Sequence, residues 1–143
     1  MPPDRVYVEA SLAEIERTVA FLRTLSGLSE AEFLADPRNF YSASYALLTA
    51  IEGTANVAAH LLTTSGQPAP RGLADGFRAL GTFGVPLGEE LTERLVLMSR
   101  FRNLLVHRYW EVDYRRVYST LQSSLPDFGR YATAILAYLD SLR

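Results

Sequence analysis

The sequence predicts an all-α fold, an antiparallel up-and-down bundle of four long helices with one or two short ones. Three observations lead there. Apolar residues recur at steps of three and four along most of the chain. No stretch sustains the alternation of a half-buried strand, and no turn pair joins two β-branched runs as a hairpin would. At 143 residues the chain suits one domain, 1–143, with a core large enough to dispense with disulfide staples.

The elements follow in order. Val8, Leu12, Ile15, Val19 and Leu22 form one apolar stripe, with Glu9, Glu14, Glu16, Arg17 and Arg23 mostly outward, and Gly27 stands where a glycine ends a helix. Ser29 followed by Glu32 has the spacing of a capping box for one short helical turn. Asp36-Pro37 opens the next helix, aspartate as cap and proline where its missing N–H costs nothing. From Phe40 through Ala43, Leu47, Ile51, Thr54 and Ala58 to Leu61 the stripe continues, ending near Thr64–Gly66. Gln67–Gly72, with Pro68 and Pro70, reads as a loop. Leu73–Phe83 is a short amphipathic piece weakened by Gly76 and Gly81. Pro86 then sets up a long helix carrying Leu91, Leu95, Met98, Phe101 and Leu105. Asp113 caps the last helix, which Pro126 is expected to kink or divide. Phe21, Phe33, Phe77 and Phe83 are read as core, and His60 as a packed or hydrogen-bonded residue of the second long helix.

Composition removes several function classes. Hydrophobic residues are 48% and charged residues 21%, a globular balance. No cysteine is present, which excludes thiolate zinc sites, disulfides and thiol nucleophiles. His60 and His107 alone supply imidazole, which argues against a histidine-rich metal site; no cofactor is expected. No apolar run approaches the roughly 20 residues of a membrane span, and Met1-Pro2-Pro3-Asp4-Arg5 lacks the basic start and apolar stretch of a secretion signal. The expectation is a soluble cytoplasmic protein.

All 14 basic residues are arginine. Two readings stand beside each other: codon bias in a thermophile or a high-GC genome, and the suitability of planar guanidinium for phosphate. Charge is also unevenly placed, net −6 over residues 1–93 and +4 over residues 94–143, so an anionic partner is sought at the C-terminal part. Neither a P-loop nor a dinucleotide fingerprint occurs.

Ionisable and aromatic groups concentrate in Ser99-Arg100-Phe101-Arg102-Asn103-Leu104-Leu105-Val106-His107-Arg108-Tyr109-Trp110. At about 100° per residue, Arg100, Asn103 and His107 share one helical stripe, and Arg102, Val106 and Tyr109 a neighbouring one. Arg102 and His107 then point roughly 140° apart. They meet at one substrate only if the helix loosens near His107, if long side chains bend round, or if a second chain completes the site. The last option implies a dimer.

Arg102-Asn103-Leu104-Leu105-Val106-His107-Arg108-Tyr109 resembles the R-x4-H-x-Y signature of HEPN-domain proteins, in their HepT-like branch. The similarity extends to Asp36-Pro37-Arg38-Asn39-Phe40-Tyr41, to Glu52 through His60-Leu61-Leu62, to Met98-Ser99-Arg100-Phe101 and to Val112-Asp113, in family order over most of the chain. The resemblance implies a toxin of a toxin–antitoxin pair whose partner is a minimal nucleotidyltransferase. It also implies a metal-independent ribonuclease acting as a homodimer, with the motif lining a cleft between subunits. Carried over, Arg102 and His107 are the catalytic pair, and Tyr109 is the residue that the partner adenylylates to silence the toxin.

The residues suit that chemistry. RNA is cut without metal when its 2′-OH attacks the adjacent phosphate, leaving a cyclic phosphate and a free 5′-OH. Histidine moves protons near neutral pH, and arginine neutralises the phosphoryl oxygens bidentately. Asn103 is placed to bond the phosphate or to orient His107 from one turn away. Arg100 and Arg108 add attraction for the RNA backbone, and Tyr109 or Trp110 offers a ring to a base. Blander alternatives remain open at this point. His107 suits a helix cap, Arg102 a surface ion pair with Glu93 or Glu111, and Tyr109 and Trp110 a core or a dimer interface. Glu52 and Asn56 suit a buried polar pair facing the motif, and Arg115 and Arg116 a solvated face. Two other functions compete with the ribonuclease: a non-catalytic helical subunit that is the nucleotidyltransferase's partner and substrate, and a nucleic-acid-binding bundle without chemistry. The RNA, transfer or messenger, is not named by the sequence.

Overall fold

The computed structural model describes residues 1–142. Four long helices, α1 (Arg5–Ser26), α3 (Pro37–Thr64), α5 (Glu89–His107) and α6 (Tyr114–Ser141), are accompanied by the short α2 (Glu30–Ala35) and α4 (Leu73–Phe83) and a 3-10 turn at Tyr109–Glu111. No strand occurs among the described residues. The long helices run up, down, up and down. The N-terminus of α1 meets the end of α3 where the Asp4 amide donates to His60 Nε2 (2.9 Å). It meets the end of α6 where Arg5 pairs with Asp140 (2.7 Å). At the other end of the bundle the Tyr118 hydroxyl of α6 donates to the Leu28 carbonyl (2.7 Å).

Local signals place most boundaries. Asp4 caps α1 through the Tyr7 amide, and Ser29 and Glu32 form the reciprocal capping box of α2. Asp36 caps α3 ahead of Pro37, and Asp113 caps α6. The box holds the Glu32 carboxyl below its ordinary range, chiefly through the Ser29 amide and then its hydroxyl. Gly27 does end α1, but with φ −76°, a conformation open to any residue. The glycine's freedom is used instead at Gly84 (φ 123°) and Gly88 (φ 79°), which frame the α4–α5 connection. That connection corrects the expected start of α5. Pro86 lies ahead of the helix, between Val85 and Leu87, which are both buried in the core. The helix opens at Glu89, with Glu89 and Glu90 complementing its dipole.

The core stripes are those read from spacing: Val8, Leu12, Ile15, Val19 and Leu22 of α1 face Leu47, Ile51, Ala58 and Leu61 of α3. Gly53 lets α1 and α3 approach, since a Cβ there would stand 2.9 Å from Ile15 Cγ1. Burial forces Tyr131, fully enclosed, to hydrogen-bond: its hydroxyl donates to the Thr54 carbonyl (2.7 Å), and desolvation pushes the phenol pKa up. Of the four phenylalanines expected in the core, Phe33 and Phe77 are enclosed and Phe83 is half-buried. Phe21 is 45% exposed and lines a groove between α1 and α3. Its position falls just off the α1 stripe, which hydrophobicity alone does not reveal.

Pro126 does not divide α6, which is continuous from Tyr114 to Ser141. Pro126 is solvent-exposed, so the carbonyl it deprives of an amide donor, that of Gln122, lies on the wet side where water can satisfy it. On the inner side Arg94 of α5 braces the same turn. Its Nη2 donates to the Ser123 carbonyl (2.9 Å) and its Nε to both oxygens of Asp127 (2.9 and 2.8 Å), a carboxylate only 3% exposed. Asp127→Ala is expected to lower stability by about 1.5–3 kcal/mol, read as a shift in the urea midpoint. The value falls short of a fully buried pair because the Arg94 side chain is 38% exposed and can rehydrate.

Candidate functional site

The motif occupies the last two turns of α5 and the connection beyond it. α5 ends at His107 because Arg108 (φ −144°, ψ 40°) leaves the helical region, though its amide still donates to the Leu104 carbonyl. A 3-10 turn follows, closed by Glu111 N–H to Arg108 C=O (2.9 Å). Two buried residues, Leu105 and Val112, anchor the ends of this crossing, and every residue from Val106 to Glu111 between them is exposed. Behind it, Tyr114 stacks on Phe40 at 3.9 Å. The Tyr114 phenol is held above its ordinary pKa, first by its hydrogen bond to Tyr41 and then by desolvation. A rigid base thus presents an exposed turn.

Arg102 and His107 leave α5 on different faces. The Arg102 side chain is 19% exposed and lies against α3, where its Nε donates to Glu52 Oε1 (2.8 Å) and its Nη2 makes a second, shorter contact with the same oxygen. Its Nη1 donates to Asn103 Oδ1 (3.1 Å). The guanidinium is therefore oriented from two sides. His107 is exposed, and no hydrogen bond joins it to Arg102 among the described residues. Helical geometry keeps both within α5, so the loosening that begins at Arg108 comes too late to bring them together.

Several readings are refined. Asn103 braces Arg102 rather than His107. Arg102 pairs with Glu52, not with Glu93 or Glu111; Glu111 instead stands 3.4 Å from Arg108. Glu52 and Asn56 are no buried pair, since Asn56 is exposed and the Glu52 side chain is 39% exposed. Tyr109 does not continue the Arg102–Val106 stripe, because it sits beyond the helix. Tyr109 (59% exposed) and Trp110 (69%) are not core residues of this chain; their rings meet edge to face at 5.3 Å. His60 is packed as expected, against Tyr7 at 4.7 Å. Arg100 is exposed on α5. Spacing does not reveal the role of Glu52, because its partner lies fifty positions away. The largest groove, about 730 Å³ between α1 and α3, contains none of the motif residues.

Among the described residues no three His, Asp or Glu side chains gather as a metal site requires, and no helix is long and apolar enough to cross a membrane. A protein-family model described as Ribonuclease HepT-like matches residues 9–135. The chain belongs to the HepT-like ribonuclease family. None of the curated proteins compared with it matches.

Solved structures place the HepT-like fold beside known assemblies. The chain is similar to a tri-AMPylated Shewanella oneidensis HEPN toxin in complex with its MNT antitoxin, with a TM-score of 0.83 and 24% identity over 91% of this chain and 96% of that one. A toxin–antitoxin complex with AMP-PNP matches with a TM-score of 0.81 and 23% identity over 90% of this chain and 96% of its own. YutE of Bacillus subtilis, a cytosolic protein of unknown function, matches with a TM-score of 0.84 at 16% identity, over 98% and 93%. At these identities the likeness establishes the HEPN helical fold.

Proposed function

We propose that this HepT-like chain, a single domain over 1–143, is the toxin of a toxin–antitoxin pair. It is an endoribonuclease that acts on transfer or messenger RNA without metal, in the cytoplasm, as a homodimer. The observation that carries the reading is the exposed end of α5 and the turn beyond it, which present His107 and Tyr109, together with an Arg102 oriented by Glu52 and Asn103 on the face toward α3. In the reaction the 2′-oxygen bonds to phosphorus as the bond to the 5′-oxygen breaks. One proton leaves the 2′-OH and another reaches the 5′-oxygen, giving a cyclic phosphate and a 5′-OH. His107 moves protons, and Arg102 neutralises the phosphoryl oxygens as charge builds. Each copy has one motif histidine, so acid and base on opposite sides of the scissile bond come from two copies. The exposed Val106 and Trp110 supply apolar surface for their contact. A minimal nucleotidyltransferase neutralises the toxin by transferring AMP from ATP to Tyr109. The AMPylated state of the Shewanella toxin supports that step by analogy.

A second reading, a non-catalytic partner and adenylylation substrate, draws on one observation: Glu52 neutralises Arg102 on a face turned from His107. Glu52→Gln separates the two. If the carboxylate positions Arg102 for catalysis, the cleavage rate of unmodified protein falls about tenfold, since small misplacements of a catalytic group are costly. On the second reading neither wild type nor Glu52→Gln cuts RNA, and the variant still accepts AMP from the partner.

A further inference from the structure

Arg115 and Arg116 are neighbours in sequence and part company in the fold. Arg115 stands beside Glu30 (3.5 Å). Arg116 turns toward α5, its guanidinium carbon 5.2 Å from the centre of the Phe101 ring. There it joins Arg100 on a groove of about 400 Å³ between α5 and α6, lined also by Thr120, Ser123 and Ser124. Most arginines of the chain pair with a carboxylate, whereas Arg100 and Arg116 pair with none among the described residues. The one carboxylate on the groove wall, Asp127, is matched by Arg94 at 2.8 Å and faces Arg130 at 3.6 Å. The groove therefore carries uncompensated positive charge, with Arg116 held in place by a ring instead of an acid.

We propose that this groove binds the sugar–phosphate backbone of single-stranded RNA beside the scissile bond. The inference rests on the ribonuclease reading and extends it to residues outside the motif. Arg116, Thr120, Ser123 and Ser124 follow one another at steps of four, three and one, a polar face about 12 Å long, enough for a short run of backbone. The two guanidinium groups are the donors suited to phosphodiester oxygens, because the Thr120 and Ser123 hydroxyls already donate to the Arg116 and Ser119 carbonyls (2.8 and 3.1 Å). Direction comes from α5: Arg100, Asn103 and His107 share one stripe, so a strand lying in the groove reaches His107 about 10 Å farther along the helix. Arg102 leaves α5 toward Glu52 of α3 and lines no part of the groove.

The test uses the full, unmodified chain, its mass confirmed free of AMP, and a labelled single-stranded RNA whose 2′-hydroxyls are methylated so that it cannot be cut. Its affinity is measured over a range of salt for wild type, Arg116→Gln, Arg100→Gln and Arg115→Gln. Arg116→Gln and Arg100→Gln are each expected to weaken binding about five- to tenfold and to reduce the salt slope by roughly 0.7, the change that accompanies one fewer neutralised phosphate on a single strand. Arg115→Gln, which removes the same charge outside the groove, changes affinity less than about twofold. Arg100 is exposed, so its variant carries the test even if loss of Arg116 unfolds the protein. Equal weakening by all three variants overturns the groove in favour of diffuse attraction. Unchanged RNA affinity in both groove variants also overturns it; if they then loosen a nucleotidyltransferase partner, the groove is a protein-docking surface. Parallel cleavage of unmethylated RNA keeps the two readings apart. Cutting by wild type with normal RNA binding in the groove variants sinks the groove alone. Groove-dependent binding without any cutting sinks the ribonuclease alone.

Discussion

His107→Ala is expected to slow RNA cleavage by about a hundred- to ten-thousandfold, the range for loss of a proton-transfer group. Arg102→Ala is expected to cost about a hundred- to a thousandfold, comparable to loss of one donor that stabilises a transition-state oxyanion. Neither change should unfold the chain. His107 is exposed, and Arg102 contributes a partly exposed ion pair to α3 rather than a core contact. Thermal unfolding measured beside cleavage therefore separates chemistry from stability. Arg102→Lys sharpens the test, because it keeps the charge and loses the planar fork through which Arg102 reaches both Glu52 and Asn103. An intermediate rate is expected for it. The double variant should be little worse than His107→Ala, since groups that act on one transition state do not contribute additively. Full activity in His107→Ala would move the protein to the partner-and-substrate reading.

Exposure to the nucleotidyltransferase partner and ATP is expected to add AMP to Tyr109 and to abolish cleavage. Tyr109 is 59% exposed on the turn beyond α5, and no hydrogen bond occupies its hydroxyl among the described residues. By contrast, the hydroxyls of Tyr118 and Tyr131 donate to backbone carbonyls at 2.7 Å. A hydroxyl free to accept AMP thus stands two residues from His107. Each AMP adds bulk and about one negative charge where RNA phosphates must approach, the same repulsion that phosphorylation exerts. Tyr109→Phe should gain no AMP by intact mass and should continue to cut RNA with partner and ATP present. Tyr45 is also exposed, at 69%, so Tyr45→Phe serves as the control that still accepts AMP and falls silent. Undiminished cleavage by a fully adenylylated protein would overturn the proposed neutralisation.

The helices are legible in the sequence because their causes are local. Ser29 with Glu32, Asp36 with Pro37, and Asp113 cap their helices through contacts within a few residues. The apolar stripes of α1 and α3 are a matter of period. Expectation and structure part where a residue's meaning depends on which side of a helix faces water. Proline in a helix predicts a kink or a division of α6; the helix is not divided, and on the exposed face the carbonyl opposite Pro126 can be hydrated. Phe21 has the character of a core residue and lies one step outside the stripe that packs. Pro86 suggests a helix start that the structure moves to Glu89, because Val85 and Leu87 dock into the core without being helical.

For the site, the residues themselves come from sequence: Arg102, Asn103, His107 and Tyr109 stand out by type and spacing, and with them the family. Helical period also dictates that Arg102 and His107 diverge. Tertiary packing decides the rest. It brings Glu52 to Arg102, turns Asn103 toward the guanidinium, ends α5 at His107 so that Tyr109 projects from a separate turn, and parts Arg116 from Arg115. The physical reason is range. Capping and periodicity act over a turn or two of helix, whereas the partner of a charge is whichever group the folded chain carries to it.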